Sequence, residues 1–127
     1  MARTSFSGPV ASANGFEGNV TGSITGNVTG VTTGTVQALS GAGAVNTTTA
    51  VTSLTTTGSA QALTLANGTA GQFKTIVHTV DGGSAVLTPT TKVGFTTITF
   101  TNVGESATLV YTAAGWAIVA LNGAVAA

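Results

Sequence analysis

The sequence predicts an all-β protein, a small antiparallel β-sandwich or barrel-like domain preceded by an extended arm and a short repeat. Residues 74–121 contain runs of β-branched and aromatic residues, separated by short turns with Gly, Asn or Asp. Apolar and polar residues alternate along these runs, as expected for strands whose side chains switch faces with period two. Residues 18–37 repeat a four-residue unit, an even period that also suits an extended chain.

Residues 1–17 are expected to form an extended arm. The dipeptides Gly8-Pro9 and Asn14-Gly15 are turn or breaker signals. As a functional element the arm would anchor the chain by laying apolar side chains into grooves of a partner, and the alternative is a frayed terminus. The candidate anchor residues are Arg3, Phe6, Val10 and Phe16.

Residues 18–37 read GNVT, GSIT, GNVT, GVTT and GTVQ. In a strand, this period places glycines on one face together with Val20, Ile24 and Val28. A single strand this narrow can neither bury these side chains nor satisfy its backbone. Copies from neighbouring chains would do both, which predicts an intertwined shaft and hinge over residues 18–43. A flexible linker is the alternative.

The β-domain is predicted to span residues 44–127, after a hinge at residues 41–43. Its first two strands are predicted at residues 50–57 and 63–65, and an Asn67-Gly68 turn closes the second. The later strands have apolar faces. The residues predicted to share them are Ile98 with Phe100, then Ala107, Leu109 and Tyr111, and then Trp116, Ile118 and Ala120. The last strand is apolar on both sides, so burial of both faces is expected.

Three short turns separate the later strands. Each contains a residue that tolerates positive φ, which favours hairpins and therefore sequential antiparallel pairing. The turns are Asp81-Gly82-Gly83, Asn102-Val103-Gly104-Glu105 and Ala113-Ala114-Gly115.

Charge is unusually scarce. Charged residues make up 5% of the chain, with three basic residues balancing three acidic ones, against about 25% in an average domain. Because nucleic-acid binding depends on phosphate neutralisation by Lys and Arg, no nucleic-acid partner is expected. Exposed neutral strands favour association, so assembly is expected. No secretory signal and no run of about 20 apolar residues is visible, so no membrane partner is expected.

Chemistry-bearing residues form no recognisable constellation. His78 is the only histidine, and it is predicted to share a strand face with Lys74, Ile76 and Val80. A hydrogen-bonded strand histidine or an inter-subunit contact is favoured over catalysis, and Asp81 is explained by the turn that it begins. Neither the spacing of the carboxylates nor the absence of Cys supports a metal site, and no glycine-rich phosphate loop is present. No enzyme activity and no cofactor are therefore expected.

Two stretches resemble a known family. The N-terminal part, SFSGPVASANGFEGNVTGSITGNVTG, resembles the arm and GNVTG-type repeats of small virion structural proteins of tailed bacteriophages, especially those of marine cyanobacteria. The C-terminal part, VTSLTTTGSAQALTLANGTAGQFKTIVHTVDGGSAVLTP with TTITFTNVGESATLVYTAAGWAIVALNG, resembles a β-domain of such proteins. These relatives decorate the capsid or form head fibres. The resemblance implies a homotrimer on the outer capsid surface, an N-terminal part that binds the major capsid protein, and no catalytic residues.

The expected protein is therefore a trimeric capsid decoration, or cement, protein. Its repeat would coil near the three-fold axis and its β-domains would pack as a knob. The candidate trimer-interface residues are Val20, Ile24, Val28 and Trp116. Trp116 could also be a ligand-stacking platform, but its alternation with Ile118 favours a core position.

Two other functions fit parts of the pattern. A tail-fibre or adhesin module would use the same fold to bind a host-surface glycan. An ice-binding protein would use the threonine runs at residues 47–49 and 55–57, although Thr-x-Thr at a regular coil period is absent.

Overall fold

The computed structural model describes residues 33–127 together with the single positions 13 and 29. The described residues contain ten β-strands and no helix, so none of them forms a helix that could cross a membrane. The strands are β1 (Val36–Ser40), β2 (Gly43–Val45), β3 (Val51–Thr55), β4 (Gln61–Leu65), β5 (Phe73–Val80), β6 (Ala85–Pro89), β7 (Ile98–Phe100), β8 (Ser106–Thr112), β9 (Gly115–Asn122) and β10 (Val125–Ala126). The all-β class predicted from the sequence is confirmed.

The strands form two five-stranded sheets. Sheet A has the order β1-β3-β5-β8-β9, and sheet B has the order β10-β7-β6-β4-β2. The first six strands alternate between the sheets, so that the chain winds through three coils, each contributing one strand to each sheet. Strands of successive coils are parallel, as in a β-solenoid. The last four strands add antiparallel neighbours to both sheets.

The prediction of a purely antiparallel domain is therefore wrong, because both sheets are mixed. Of the three turns predicted to form hairpins, only Ala113-Ala114-Gly115 joins hydrogen-bonded neighbours, β8 and β9. The turn after Asp81 and the turn after Asn102 instead carry the chain from one sheet to the other. Glycine in a short turn permits a sharp change of direction in either case, so turn chemistry alone does not distinguish a hairpin from a corner between sheets.

The core lies between the inner faces of the two sheets. Sheet A contributes Leu54, Ile76, Ala107, Leu109 and Trp116, and sheet B contributes Val45, Leu63, Leu65, Ala85, Leu87, Ile98 and Phe100. Rows of these residues align across the strands, since Leu63 pairs with Leu87 and Leu87 with Ile98. The predicted inward positions of Ile98, Phe100, Ala107 and Leu109 are confirmed.

Two β-bulges change the faces predicted near the ends of long strands. In β5, Leu54 pairs with His78 but Thr55 pairs with Val80, so the extra residue Thr79 moves Val80 to the outer face. In β9, Ile118 pairs with Leu109 and Ala120 with Thr108, which leaves Val119 as the extra residue. Strict alternation therefore fails beyond each bulge.

Successive corners between the sheets are stacked and joined by hydrogen bonds. Thr56, at the end of β3, accepts the Gly82 N–H at 2.9 Å and donates to the Gly83 carbonyl oxygen at 2.9 Å. A Cβ atom at Gly82 or Gly83 would overlap backbone atoms of the preceding corner, which explains glycine there. Another corner residue, Ala60, has a positive φ of 53°.

The described residues 33–127 belong to one compact unit. It includes β1, at positions that the sequence analysis assigned to the repeat and hinge. Gly41 lies in the corner between β1 and β2, where its φ is 76° and its N–H donates to the Thr55 carbonyl oxygen at 2.9 Å. The backbone of residue 41 is thus tied to the next coil.

Replacing Thr56 by Val should destabilise the protein by about 1–3 kcal/mol, because the buried His78 ring and the part-buried backbone of the neighbouring corner would lose their hydroxyl partner. Urea unfolding measures the free energy of unfolding. Thr56→Ser should restore most of the loss, and Thr64→Val, on the exposed face of β4, is the control. Equal stability of the Thr56→Val and Thr64→Val variants would contradict the stabilising role of the corner.

Candidate functional site

Four charged side chains lie among the described residues, and two of them are buried. Lys74 is fully buried, and only 8% of the surface of Glu105 is exposed. Asp81 and Lys92 lie in connections between strands. No charged residue therefore occupies the outer face of either sheet.

Lys74 lies on the inner face of β5 and is held by neutral oxygen atoms. Its Nζ donates to the Thr49 carbonyl oxygen at 3.0 Å, to Thr49 Oγ1 at 2.8 Å and to Asn46 Oδ1 at 3.4 Å. Burial lowers the pKa of Lys74 to about 8. All three ammonium protons have acceptors, so Lys74 ties the β2–β3 connection to β5.

The same connection is organised by a network of side-chain amides. Gln37 Oε1 accepts the Asn46 N–H and the Thr52 hydroxyl, both at 2.9 Å, while its Nε2 donates to the Ala44 carbonyl oxygen at 2.8 Å. The side-chain oxygen of Asn46, Oδ1, in turn accepts the Thr49 hydroxyl at 2.7 Å. This polar end of the core is saturated by internal hydrogen bonds.

His78 is a hydrogen-bonded strand histidine, as predicted. Its ring is fully buried, and Nε2 lies 3.0 Å from Thr56 Oγ1. The Thr56 hydroxyl can donate its one proton to the Gly83 carbonyl oxygen, an arrangement that fits the tautomer of His78 with its hydrogen on Nε2. Among the described residues Nδ1 has no hydrogen-bond partner, and so no carboxylate orients the ring as a catalytic triad requires.

Asp81 serves the turn that it begins, as predicted. Its Oδ1 accepts the Gly83 N–H at 2.8 Å, an Asx-type turn that supports the corner between β5 and β6.

Glu105 closes the connection between β7 and β8. Its carboxylate accepts the Thr101 N–H at 2.6 Å, the Thr101 hydroxyl at 3.1 Å and the Asn102 Nδ2 at 2.9 Å. These hydrogen bonds, with that from the Thr101 backbone dominant, lower the pKa of Glu105 to about 2. The Glu105 carboxylate is thus an ionised structural acceptor.

Trp116 occupies the core of one chain. It is fully buried, its Nε1 donates to the Ala66 carbonyl oxygen at 2.8 Å, and its ring meets Tyr111 edge-on at a centroid distance of 5.1 Å. A Cβ atom at Gly68 would lie 2.9 Å from the indole. The core interpretation is confirmed. Because Trp116 is fully buried, its side chain has no exposed surface that could contact another subunit of the expected trimer or a stacked ligand.

The outer face of sheet A is the largest regular surface of the described residues. It consists mostly of small apolar and hydroxyl side chains, with one aromatic and one amide side chain, aligned in rows across the strands. One row is Val36, Val51, Thr75, Thr108 and Ala120, the next is Ala38, Ser53, Val77, Ser106 and Asn122, and a shorter row is Phe73, Val110 and Ala117. We call these thirteen residues the neutral face.

Hydroxyl groups on the neutral face are partly paired with one another. Ser53 Oγ lies 2.8 Å from Thr79 Oγ1, which also donates to the Leu54 carbonyl oxygen, and Thr75 Oγ1 lies 3.1 Å from Thr108 Oγ1. Such cross-strand pairs reduce the number of hydroxyls that need water.

The remaining predicted site residues lie outside the described part of the chain. They are the candidate anchors Arg3, Phe6, Val10 and Phe16 and the candidate axial residues Val20, Ile24 and Val28. Of the threonines considered for ice binding, Thr49 and Thr56 point their hydroxyls into the networks described above.

The described residues open no pocket for a small ligand and bring no three acidic or histidine side chains together around a metal position. No protein-family model matches the chain, and no curated protein is similar to it in sequence. The indications of function therefore come from the surfaces of the chain itself.

The sequence analysis missed two features that the structure brings together. The Lys74 network joins residues from three separate segments of the chain. In the sequence, only the position of Lys74 on the same predicted strand face as Ile76 indicated that it is buried. The neutral face needs the parallel pairing of β1, β3 and β5, which no local pattern encodes.

The pH dependence of stability should report the burial of Lys74. Its pKa is about 8 in the folded protein, below the usual 10.5, so the unfolded chain binds more protons between these values and the free energy of unfolding should rise from pH 8 to pH 10. Urea unfolding across this range should show a smaller rise for Lys74→Met than for the loop control Lys92→Met. Identical slopes in both variants would contradict the assignment.

Protonation of Glu105 should lower the stability of the folded protein at acid pH. Its pKa of about 2 lies below the usual 4.5, so its stabilising effect is complete above pH 4.5 and disappears as the pH falls toward 2. The variant Glu105→Gln should be less stable than the wild type at pH 7 and should lose less stability between pH 5 and pH 2. Thermal unfolding at a series of pH values measures this, and parallel curves for both proteins would refute it.

Proposed function

We propose that the chain is a non-enzymatic virion structural protein that decorates and stabilises a phage capsid from outside, as a homotrimer. The observation that carries the proposal is the absence of charge from the outer faces of both sheets in the described residues, together with the structural use of the buried charges. Lys74 and Glu105 hold strand connections in place, so neither is available for chemistry.

A stacked, mixed β-fold suits a mechanical role. Backbone hydrogen bonds join five strands in each sheet, and the corners of successive coils are bonded to each other. Tension on such a unit is distributed over many hydrogen bonds.

Apolar contact would supply the adhesion to the capsid. Burial of apolar surface contributes roughly 25 cal/mol per Å². The anchor residues predicted in the arm would supply most of this contact, and Val103 and Val125, which are about 60% exposed and lie outside the neutral face, would add to it. Contacts of this kind would resist outward pressure on the shell without any bound cofactor.

Deletion of residues 1–32 tests the two parts of the proposal, because it removes the arm and repeat but leaves β1 intact. The full chain should sediment with empty capsids of the phage that carries the gene, and not with host cell envelopes. The deletion variant should remain folded by circular dichroism and lose capsid binding at least tenfold. Binding to envelopes instead of capsids would favour the adhesin alternative, and binding to neither would refute the proposal.

A point substitution tests the axial assignment of the repeat. Ile24→Asp should convert the homotrimer into monomers in light scattering, because a carboxylate buried at an axis without a partner is strongly unfavourable. Thr25→Asp, on the other face of the predicted strand, is the matched control. An unchanged mass for Ile24→Asp would remove the repeat from the axis.

A further inference from the structure

We infer, on the basis of the proposed homotrimer, that the neutral face of sheet A is the surface on which copies of this chain pack against each other. The candidate occupant is thus a second copy of the chain. Four properties of the face favour this occupant over a charged or glycan partner.

The first property is electrostatic. All thirteen residues of the neutral face are uncharged, and the described charged residues lie in the core or in connections. A charged partner surface would lose its hydration on contact without gaining an opposite charge. A neutral partner suffers no such loss, and the chain itself has only six charged residues in 127.

The second property is the internal pairing of hydroxyls. Thr75 bonds to Thr108, and Ser53 bonds to Thr79. Groups that already have partners lose less when water is removed, so the face can be covered by a surface that offers few hydrogen bonds. A glycan, in contrast, is recognised through hydrogen-bonding groups that are free to engage it.

The third property is an apolar anchor. Phe73 is 59% exposed although it lies within a regular strand, and its neighbours across sheet A are Val110 and Ala117. Aromatic residues, Phe among them, are enriched in protein–protein interfaces, so Phe73 is the side chain of this face best suited to act as an anchor.

The fourth property is size. Sheet A contains two eight-residue strands and one of seven residues, whereas no strand of sheet B exceeds five. Five strands of this length cover roughly 500 Å² at the usual strand spacing and rise. A stable interface buries about 800 Å² on each partner, so the neutral face is expected to act together with other contacts of the full chain.

A matched pair of substitutions tests the inference in the full chain. Val77 lies on the outer side of β5, the central strand of sheet A, and Val86 lies on the outer side of β6, the central strand of sheet B. Both are half-buried, so Val77→Lys and Val86→Lys introduce the same charge in equivalent positions. We expect Val77→Lys to weaken self-association at least tenfold in sedimentation equilibrium and Val86→Lys to leave it unchanged.

Phe73→Thr removes the apolar anchor without adding charge, and it should weaken association in the same direction. Circular dichroism and urea unfolding should show that the variants remain folded. Equal association of Val77→Lys and wild type would overturn the inference, as would a monomeric wild type.

Capsid binding separates this inference from the proposed function. Variants that dissociate while the wild type fails to bind capsids would support the self-association surface and refute decoration. A wild type that binds capsids but whose association is unchanged by Val77→Lys would support decoration and refute the self-association surface.

Discussion

The rest of the fold depends on the sharp corners at which the chain passes from one sheet to the other. Consecutive strands belong to opposite sheets through the first three coils, so each strand can find its neighbour only if the chain turns sharply and returns in register. Thr56 joins two successive corners through its hydroxyl, and glycine at positions 82 and 83 allows the backbones to approach. Once the corners are stacked, the core rows of both sheets align.

Polar groups inside this fold are used to hold connections. Lys74 and His78 occupy inner positions of β5, a strand that otherwise contributes Ile76 to the core. Lys74 reaches the β2–β3 connection and His78 reaches Thr56. In both cases a buried polar side chain crosses from its own strand to a neighbouring coil. Two of the four charged residues among those described, Lys74 and Glu105, thus secure the interior, and none of the four lies on an outer sheet face.

Neutral faces connect the fold to the proposed role. A protein whose surface carries almost no charge has little electrostatic repulsion between copies, so apolar contacts are opposed mainly by desolvation of polar groups. On the outer face of sheet A, cross-strand bonds such as that between Thr75 and Thr108 lower this cost. The proposed assembly would thus be favoured by the neutral composition of this face.

The all-β class, the apolar faces around Ile98 and Leu109 and the turn role of Asp81 could be predicted from the sequence, because strand periodicity and turn chemistry are local properties. The parallel arrangement of β1, β3 and β5 could not be predicted, since their pairing depends on a return of the chain through the other sheet. The bulges at Thr79 and Val119 also escaped prediction, because they arise from the register between strands. The burial of Lys74 and Trp116 and the neutral face of sheet A follow from that long-range pairing, which no single stretch of sequence specifies.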